Sequence, residues 1–129
     1  MLVRFFFLIE LPGYSIEAGI CFQRLFNTAL GSLLASKYLS SPVNVDGDDI
    51  MVSDGIHEDK KASVSIAKYD NGAVLIHTGI NIDAGDKAPS FAYSTRLGND
   101  EAEQFINEAI AIFNSMTHDI WVATTKLIS

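Results

Sequence analysis

The stretch DKKASVSIAKYDNGAVLIHTGINI, residues 59–82, decides how this chain is read. Two runs rich in Val, Ile, Ala and Thr flank Asp70-Asn71-Gly72, which predicts a β-hairpin with strands at 61–69 and 73–82. The turn length sets which side chains share a face. A two-residue Asn71-Gly72 loop pairs Ser65 with Thr78 and Lys61 with Ile82, and scatters the polar residues over both faces. A three-residue Asp70-Asn71-Gly72 loop, with Gly72 left-handed, pairs Ser65 with His77, Ser63 with Gly79 and Lys61 with Asn81. One face is then Lys61, Ser63, Ser65, His77, Gly79 and Asn81. The other is Ala62, Val64, Ile66, Val74, Ile76, Thr78, Ile80 and Ile82. Burial of one apolar face favours that segregation, so the three-residue loop is expected. Gly79 weakens a strand and leaves a shallow gap between His77 and Asn81, where a ligand can approach the sheet. The competing reading is a solvated face, with His77 bonded to Ser65 across the pair and Lys61 guarding an edge.

Working outward, residues 2–11 read as a buried strand ended by Pro12-Gly13. Ser15 is placed to cap a helix, with Glu17 near its positive end. Phe22, Leu25, Phe26, Ala29, Leu30, Leu33 and Leu34 recur at helical spacing, which carries that helix to about Tyr38, before Pro42. Asp46-Gly47 predicts a turn and Ile50 to Val52 a short strand. A long loop follows the hairpin, with a short strand around Phe91 to Ser94. Asp100 with Glu103 predicts a capping box for a second helix through Ala102, Phe105, Ile106, Ala109, Ile110, Phe113 and Met116. Residues 120–128 read as a closing strand, with Trp121 in the core. His57 and His118 read as surface residues in a loop and at a helix end. The order β-α-β-β-β-α-β predicts an α+β fold, an antiparallel or mixed sheet with two main helices on one face.

A length of 129 residues predicts one domain, residues 1–129, able to bury roughly two-thirds of its unfolded surface. With 48% apolar and 19% charged residues the chain is of the globular class rather than the disordered one. Nine Lys and Arg against sixteen Asp and Glu give a formal net charge of -7, and no basic cluster exceeds Lys60-Lys61. No basic stripe is present to neutralise phosphates, so nucleic acid is not an expected partner, and the acidity argues against anionic membranes. A single lysine can still dominate its own pocket. The one cysteine, Cys21, excludes an intrachain disulfide and fits a reducing, cytoplasmic compartment; its apolar helical setting predicts a small core residue. MLVRFFFLIEL is interrupted by Arg4 and Glu10 and is far short of the roughly 20 apolar residues of a membrane span. No cleavage site follows it.

Three segments, GDDIMV (47–52), KASVSIA (61–67) and LIHTGINI (75–82), stand in the order and at about the spacing of three segments of the biotin and lipoate protein ligases. Those enzymes carry Gly-Asn-Asp-Ile or Pro-Asn-Asp-Ile, then Lys-x-Ser-Gly-Ser-Ala or Lys-x-x-Gly, then a strand ending in Gly-Ile-Asn. The chain more closely resembles a family related to them, domain of unknown function 366, whose members show Gly-Asp-Asp, Lys-x-Ser-Val-Ser-Ile-Ala and Ile-His-x-Gly-x-Asn. The resemblance covers residues 1 to about 126. It implies a biotin/lipoate ligase-like, class II synthetase-like fold, of which this chain resembles the C-terminal two-thirds, so that the domain is N-terminally truncated relative to the family.

The resemblance further implies a two-step acyl transfer, in which ATP and a carboxylic acid give an acyl-adenylate that is passed to an amine. Lys61 matches the catalytic lysine that touches the acyl carbonyl and the α-phosphate, a fixed cation where negative charge develops. Ser63, Ser65, His77, Gly79 and Asn81, on the same predicted hairpin face as Lys61, are the candidate ligand-binding residues. Asp48 and Asp49 match an Asn-Asp pair near the nucleotide and metal, and Mg²⁺ prefers such hard oxygen ligands. ATP and Mg²⁺ are implied in this way alone. Val64 replaces the family glycine between the serines, and His77 stands where the biotin enzymes have glycine. All nine glycines are isolated from one another, so the Gly-rich loop that wraps the adenylate in those ligases is not in this sequence.

The expected partner is a small carboxylate or a nucleotide. The alternative is a non-catalytic binding or assembly module that keeps the fold and forms a homo-oligomer through edges such as FFFLI or WVATT. A serine hydrolase using Ser63 or Ser65 with His77 is disfavoured, because a nucleophilic serine needs a strained elbow and these serines alternate along a plain strand.

Overall fold

Residues 1–126 are described by a computed structural model. The fold is α+β, in the element order β1 (Val3–Pro12), α1 (Ile16–Leu33), β2 (Val43–Asp46), β3 (Asp49–Val52), β4 (Lys60–Lys61), β5 (Ser63–Asp70), β6 (Ala73–Asp83) and α2 (Asn99–Thr125). The chain divides into two compact units, Met1–Leu97 and Gly98–Ser129. In the first, two antiparallel three-stranded sheets have the orders β1-β6-β5 and β2-β3-β4.

Helix α1 begins where the sequence predicts. Ser15 is extended, and its Oγ accepts from the Ala18 N–H at 3.1 Å. Phe22, Gln23, Phe26, Asn27 and Leu30 form one buried stripe. Two glycines on this stripe set how closely the helix lies on the sheets. A Cβ at Gly19 would fall 2.3 Å from a Val74 methyl, and one at Gly31 would fall 2.6 Å from a Val45 methyl. The first is a contact with β6 and the second with β2, so α1 rests on both sheets. After Leu33 the helix widens into a π-type turn, Leu34–Tyr38, closed by the Leu39 N–H on the Leu34 carbonyl at 2.8 Å. Leu11, Phe22, Phe26, Ile50, Ile76 and Ile80 make up much of the core under this helix. Cys21, expected in that core, lies on the exposed side of α1.

The hairpin differs from its expected register. Asp70 pairs with Ala73, leaving a two-residue Asn71-Gly72 loop, and Ser65 pairs with Thr78 instead of His77. Asn71 and Gly72 have φ values of 52° and 86°, the doubly left-handed turn whose twist matches that of the flanking strands. The inner face of the β5-β6 pair is therefore Ser63, Ser65, Val74, Ile76, Thr78 and Ile80. The outer face carries Val64, Ile66, Leu75, His77 and Gly79. Expecting all the polar residues on one side overlooked that α1 brings polar side chains to the sheet. Gln23 Nε2 donates to Ser65 Oγ at 2.9 Å, and Ser65 Oγ lies 2.7 Å from Thr78 Oγ1. A buried serine is tolerated when its hydroxyl is hydrogen-bonded, so apolar segregation alone did not select the register.

Asp46-Gly47 turns as expected, and Val43–Asp46 is a further strand of that hairpin. Between Phe91 and Ser94 there is only a single parallel bridge, Lys61 with Ala92.

The second unit is built on α2, a helix of 27 residues. It starts ahead of the expected Asp100–Glu103 box: Glu101 Oε1 accepts from the Gly98 N–H at 3.0 Å. It also continues through Thr125, where a strand over 120–128 was expected; residues 127 and 128 lie outside the described residues. The β-branched composition of WVATT is accommodated in the helix, because the Thr124 and Thr125 hydroxyls donate to the Trp121 and Val122 carbonyls at 2.6 and 2.7 Å. His118 is consequently inside the helix rather than at its end. Trp121, expected in the core, is 65% exposed. No described helix is long and apolar enough to cross a membrane.

Candidate functional site

The chain changes sheets at Ala62. Lys60–Lys61 pairs with β3 in one sheet, and Ser63–Asp70 pairs with β6 in the other. Both Ala62 backbone groups are used at the crossing: its N–H donates to the Ile50 carbonyl at 2.8 Å, and its carbonyl accepts from the Asn81 N–H at 2.9 Å. The neighbouring Lys61 is held on its other side. Its N–H donates to the Phe91 carbonyl at 2.7 Å, and its carbonyl accepts from the Tyr93 N–H at 2.8 Å. The backbone that presents this lysine is therefore fixed from several directions.

The side chains of the junction gather polar groups from four parts of the sequence. Lys61 Nζ lies 3.2 Å from Asp49 Oδ2 on β3 and 5.6 Å from the centre of the Phe91 ring. Arg4 reaches in from β1, and its Nε donates to Asn81 Oδ1 at 2.7 Å. Asn81 Nδ2 in turn donates to the Lys61 carbonyl at 3.4 Å. Arg4, Asp49, Lys61, Asn81, Pro89 and Phe91 border a cleft of about 300 Å³. Two cations and one carboxylate border it, Asp49 paired with Lys61, with Phe91 and Pro89 as apolar lining. Such a cleft suits a small anion that carries an apolar or flat portion.

The sequence-predicted residues divide accordingly. Lys61, Asn81 and Asp49 are brought together in the cleft. Ser63 and Ser65 also border it, but their hydroxyls serve the interior. Ser63 Oγ accepts from the Ile50 N–H at 3.0 Å, and Ser65 Oγ is held by Gln23 and Thr78. His77 lies on the outer sheet face against Phe6, with ring centres 4.2 Å apart, beside an apolar depression that Leu8, Ile66 and Leu75 also line. The gap expected at Gly79 is filled by this chain: a Cβ there would lie 2.6 Å from the Phe6 ring and 2.9 Å from Arg4 Cδ. Gly79 thus makes room for Phe6 and Arg4.

Asp48 does not line the cleft, and its carbonyl accepts from Asn27 Nδ2 at 3.1 Å. Adjacent residues entering a strand point to opposite sides, so Asp48 and Asp49 do not form a carboxylate pair on this cleft. Asp49 already faces Lys61. Among the described residues no group of three His, Cys, Asp or Glu side chains is placed to hold a metal. Mg²⁺ usually takes one or two protein carboxylates together with substrate phosphates, and Asp49 is the carboxylate that borders this cleft among the described residues.

Arg4 and Phe91 were not anticipated as site residues. Phe91 sits in a loop without a regular pattern. Arg4 is a lone charge inside the apolar run VRFFFLI, which marks it as unusual, but its place beside Asn81 depends on a strand pairing across 77 positions of sequence.

No curated protein matches the chain. A solved structure described as a protein of unknown function from Pyrococcus horikoshi matches with a TM-score of 0.74 at 24% identity. The match covers 93% of this chain and 62% of that one, so the chain spans less than two thirds of that protein's length. At this identity the likeness concerns the fold. Residues 4–128 match the family model for Domain of unknown function (DUF366), and the chain belongs to that family.

Proposed function

We propose that the Lys61 cleft binds a small carboxylate or nucleotide, and that its chemistry is of the acyl-adenylate type found in biotin and lipoate ligases. The observation that carries this reading is the convergence of Lys61, Arg4 and Asn81 on one cleft, with Lys61 fixed through its backbone at the sheet crossing. In that chemistry a substrate carboxylate oxygen attacks the α-phosphorus of ATP and pyrophosphate leaves. An acceptor amine then attacks the acyl carbon and AMP leaves. Lys61 Nζ supplies fixed positive charge where the carbonyl and α-phosphate oxygens gain negative charge, and Arg4 adds a second cation beside it. Phe91 offers a ring against which a flat or apolar group packs.

The test is a thermal-shift titration of the whole chain with ATP, AMP, biotin, lipoate and octanoate, with Lys61→Ala alongside. A ligand at a hundredfold excess over its Kd stabilises the native state by about 2.7 kcal/mol. The expected result is a shift with at least one of these ligands that Lys61→Ala removes. Lys61→Ala should fold, because the hydrogen bonds that hold position 61 are made by its backbone. Cooperative melting of the native chain with no shift from any ligand would overturn the proposal in favour of a non-catalytic module.

A further inference from the structure

Strand β1 forms one edge of the β1-β6-β5 sheet. Such an edge offers unpaired N–H and C=O groups, and proteins usually blunt it with lysine, proline, a bulge or a cover. Among the described residues, a register irregularity between Val3 and Arg4 and the proline at position 12 stand at its two ends. Between them the outer face of β1 presents Arg4, Phe6, Leu8 and Glu10. Leu8 is 81% and Phe6 45% exposed, a large apolar pair for a surface strand. At the opposite edge Lys68 occupies the corresponding face of β5.

We propose that two copies of this chain pair β1 with β1, antiparallel about a twofold axis through Phe7, so that the two three-stranded sheets become one continuous sheet. The residue pattern selects this register. With the axis at Phe7, Arg4 stands opposite Glu10 of the second copy, Glu10 opposite Arg4, and Phe6 opposite Leu8 in both directions. On the inner face Phe5 meets Ile9, and Phe7 meets its own copy. Every charge is answered by its opposite and every apolar residue by an apolar one, as cross-strand pairing favours. An axis at Leu8 would set Arg4 against Pro12 and Glu10 against Phe6. An axis at Phe6 would set Arg4 against Leu8. A parallel alignment would place like charges together and would not close into a twofold dimer. The interface is therefore self-complementary in charge and in apolar contact at one register.

The pairing places Glu10 of the second copy next to Arg4, a residue of the Lys61 cleft. Arg4 gives its Nε to Asn81, and a guanidinium carries two further nitrogens with which to meet a carboxylate. The inference does not depend on what that cleft binds.

The test is sedimentation analysis of the whole chain from low to high micromolar concentration, with circular dichroism to confirm folding. The native chain is expected to be a reversible dimer. Leu8→Lys and Glu10→Arg should each weaken it by about tenfold or more, because every change counts twice across the axis. Arg4→Glu should weaken it similarly. An equimolar mixture of the Arg4→Glu chain and the Glu10→Arg chain should regain the dimer, since opposite charges then face each other at both ends. If Arg4→Glu does not fold, Leu8→Lys and Glu10→Arg carry the test alone. A monomeric native chain would overturn the proposal, as would a dimer indifferent to Leu8→Lys and Glu10→Arg. A mixture of two folded variants that stays monomeric would overturn the register.

Discussion

Ser65→Ala distinguishes the two hairpin registers by energy. Ser65 Oγ accepts from Gln23 Nε2 at 2.9 Å and lies 2.7 Å from Thr78 Oγ1. Gln23, Ser65 and Thr78 are only 2%, 7% and 0% exposed, so water does not replace a lost partner. Removing the hydroxyl strands a Gln23 N–H and deprives the Thr78 hydroxyl of its neighbour. Each stranded buried group costs about 1–3 kcal/mol, so the expected loss for the two is about 2–6 kcal/mol. His77→Ala removes a ring contact on the exposed face and should cost less than about 1 kcal/mol. In the three-residue-loop register His77 would be the partner of Ser65, and the two substitutions would cost similar amounts. Replacing the three buried members, with Gln23→Leu, Ser65→Ala and Thr78→Val together, removes their donors and acceptors alike, leaves the exposed Arg24 that also donates to Gln23 to water, and should recover most of the loss. Equilibrium urea denaturation with an unchanged slope measures all of these. Equal losses for Ser65→Ala and His77→Ala, or a triple variant that loses the sum of its single losses, would refute the reasoning.

Gly19→Ala would put a Cβ 2.3 Å from Val74 Cγ1, so α1 or Val74 must move. The expected loss is about 1–3 kcal/mol by urea denaturation. Val74→Ala in the same chain should relieve part of it, and strictly additive losses would contradict the close approach. The Asp54 carboxylate accepts from the His57 N–H at 2.8 Å, from the His57 ring at 2.8 Å and from the Ile56 N–H at 2.9 Å. These bonds, the His57 N–H first, hold its pKa well below the ordinary carboxylate value. A carboxyl depressed in the folded state stabilises it above the unfolded pKa, and this stabilisation is lost as pH falls below the ordinary 3.8 toward the folded value. Asp54→Asn should therefore flatten the acid side of the stability-against-pH curve, and an identical acid slope in both proteins would count against this.

Most elements that depend on local chemistry were legible in the sequence. The Ser15 cap, the stripe of α1 and the Asp46-Gly47 turn each rest on residues a few positions apart. The end of α2 misled because β-branched residues such as Val122, Thr124 and Thr125 favour strands on average, while threonine in a helix can bond back to its own carbonyls. Of the candidate site, Lys61, Asn81 and Asp49 were legible through motif order. Arg4 and Phe91 were not, because neither stands near those motifs in sequence.

By itself the sequence determined an α+β chain with a capped helix over strands and a hairpin turning within Asp70-Asn71-Gly72. Only the tertiary structure decided the hairpin register, the change of sheets at Ala62 and the meeting of Lys61 with Arg4. The physical reason is the origin of the partners. Turn residues and caps satisfy groups within a few positions, so their rules can be read locally. Ser65 is satisfied by Gln23 from 42 positions away and Asn81 by Arg4 from 77. Those hydrogen bonds exist only once α1 and β1 have packed against the hairpin, and they fix which face of the hairpin is inside.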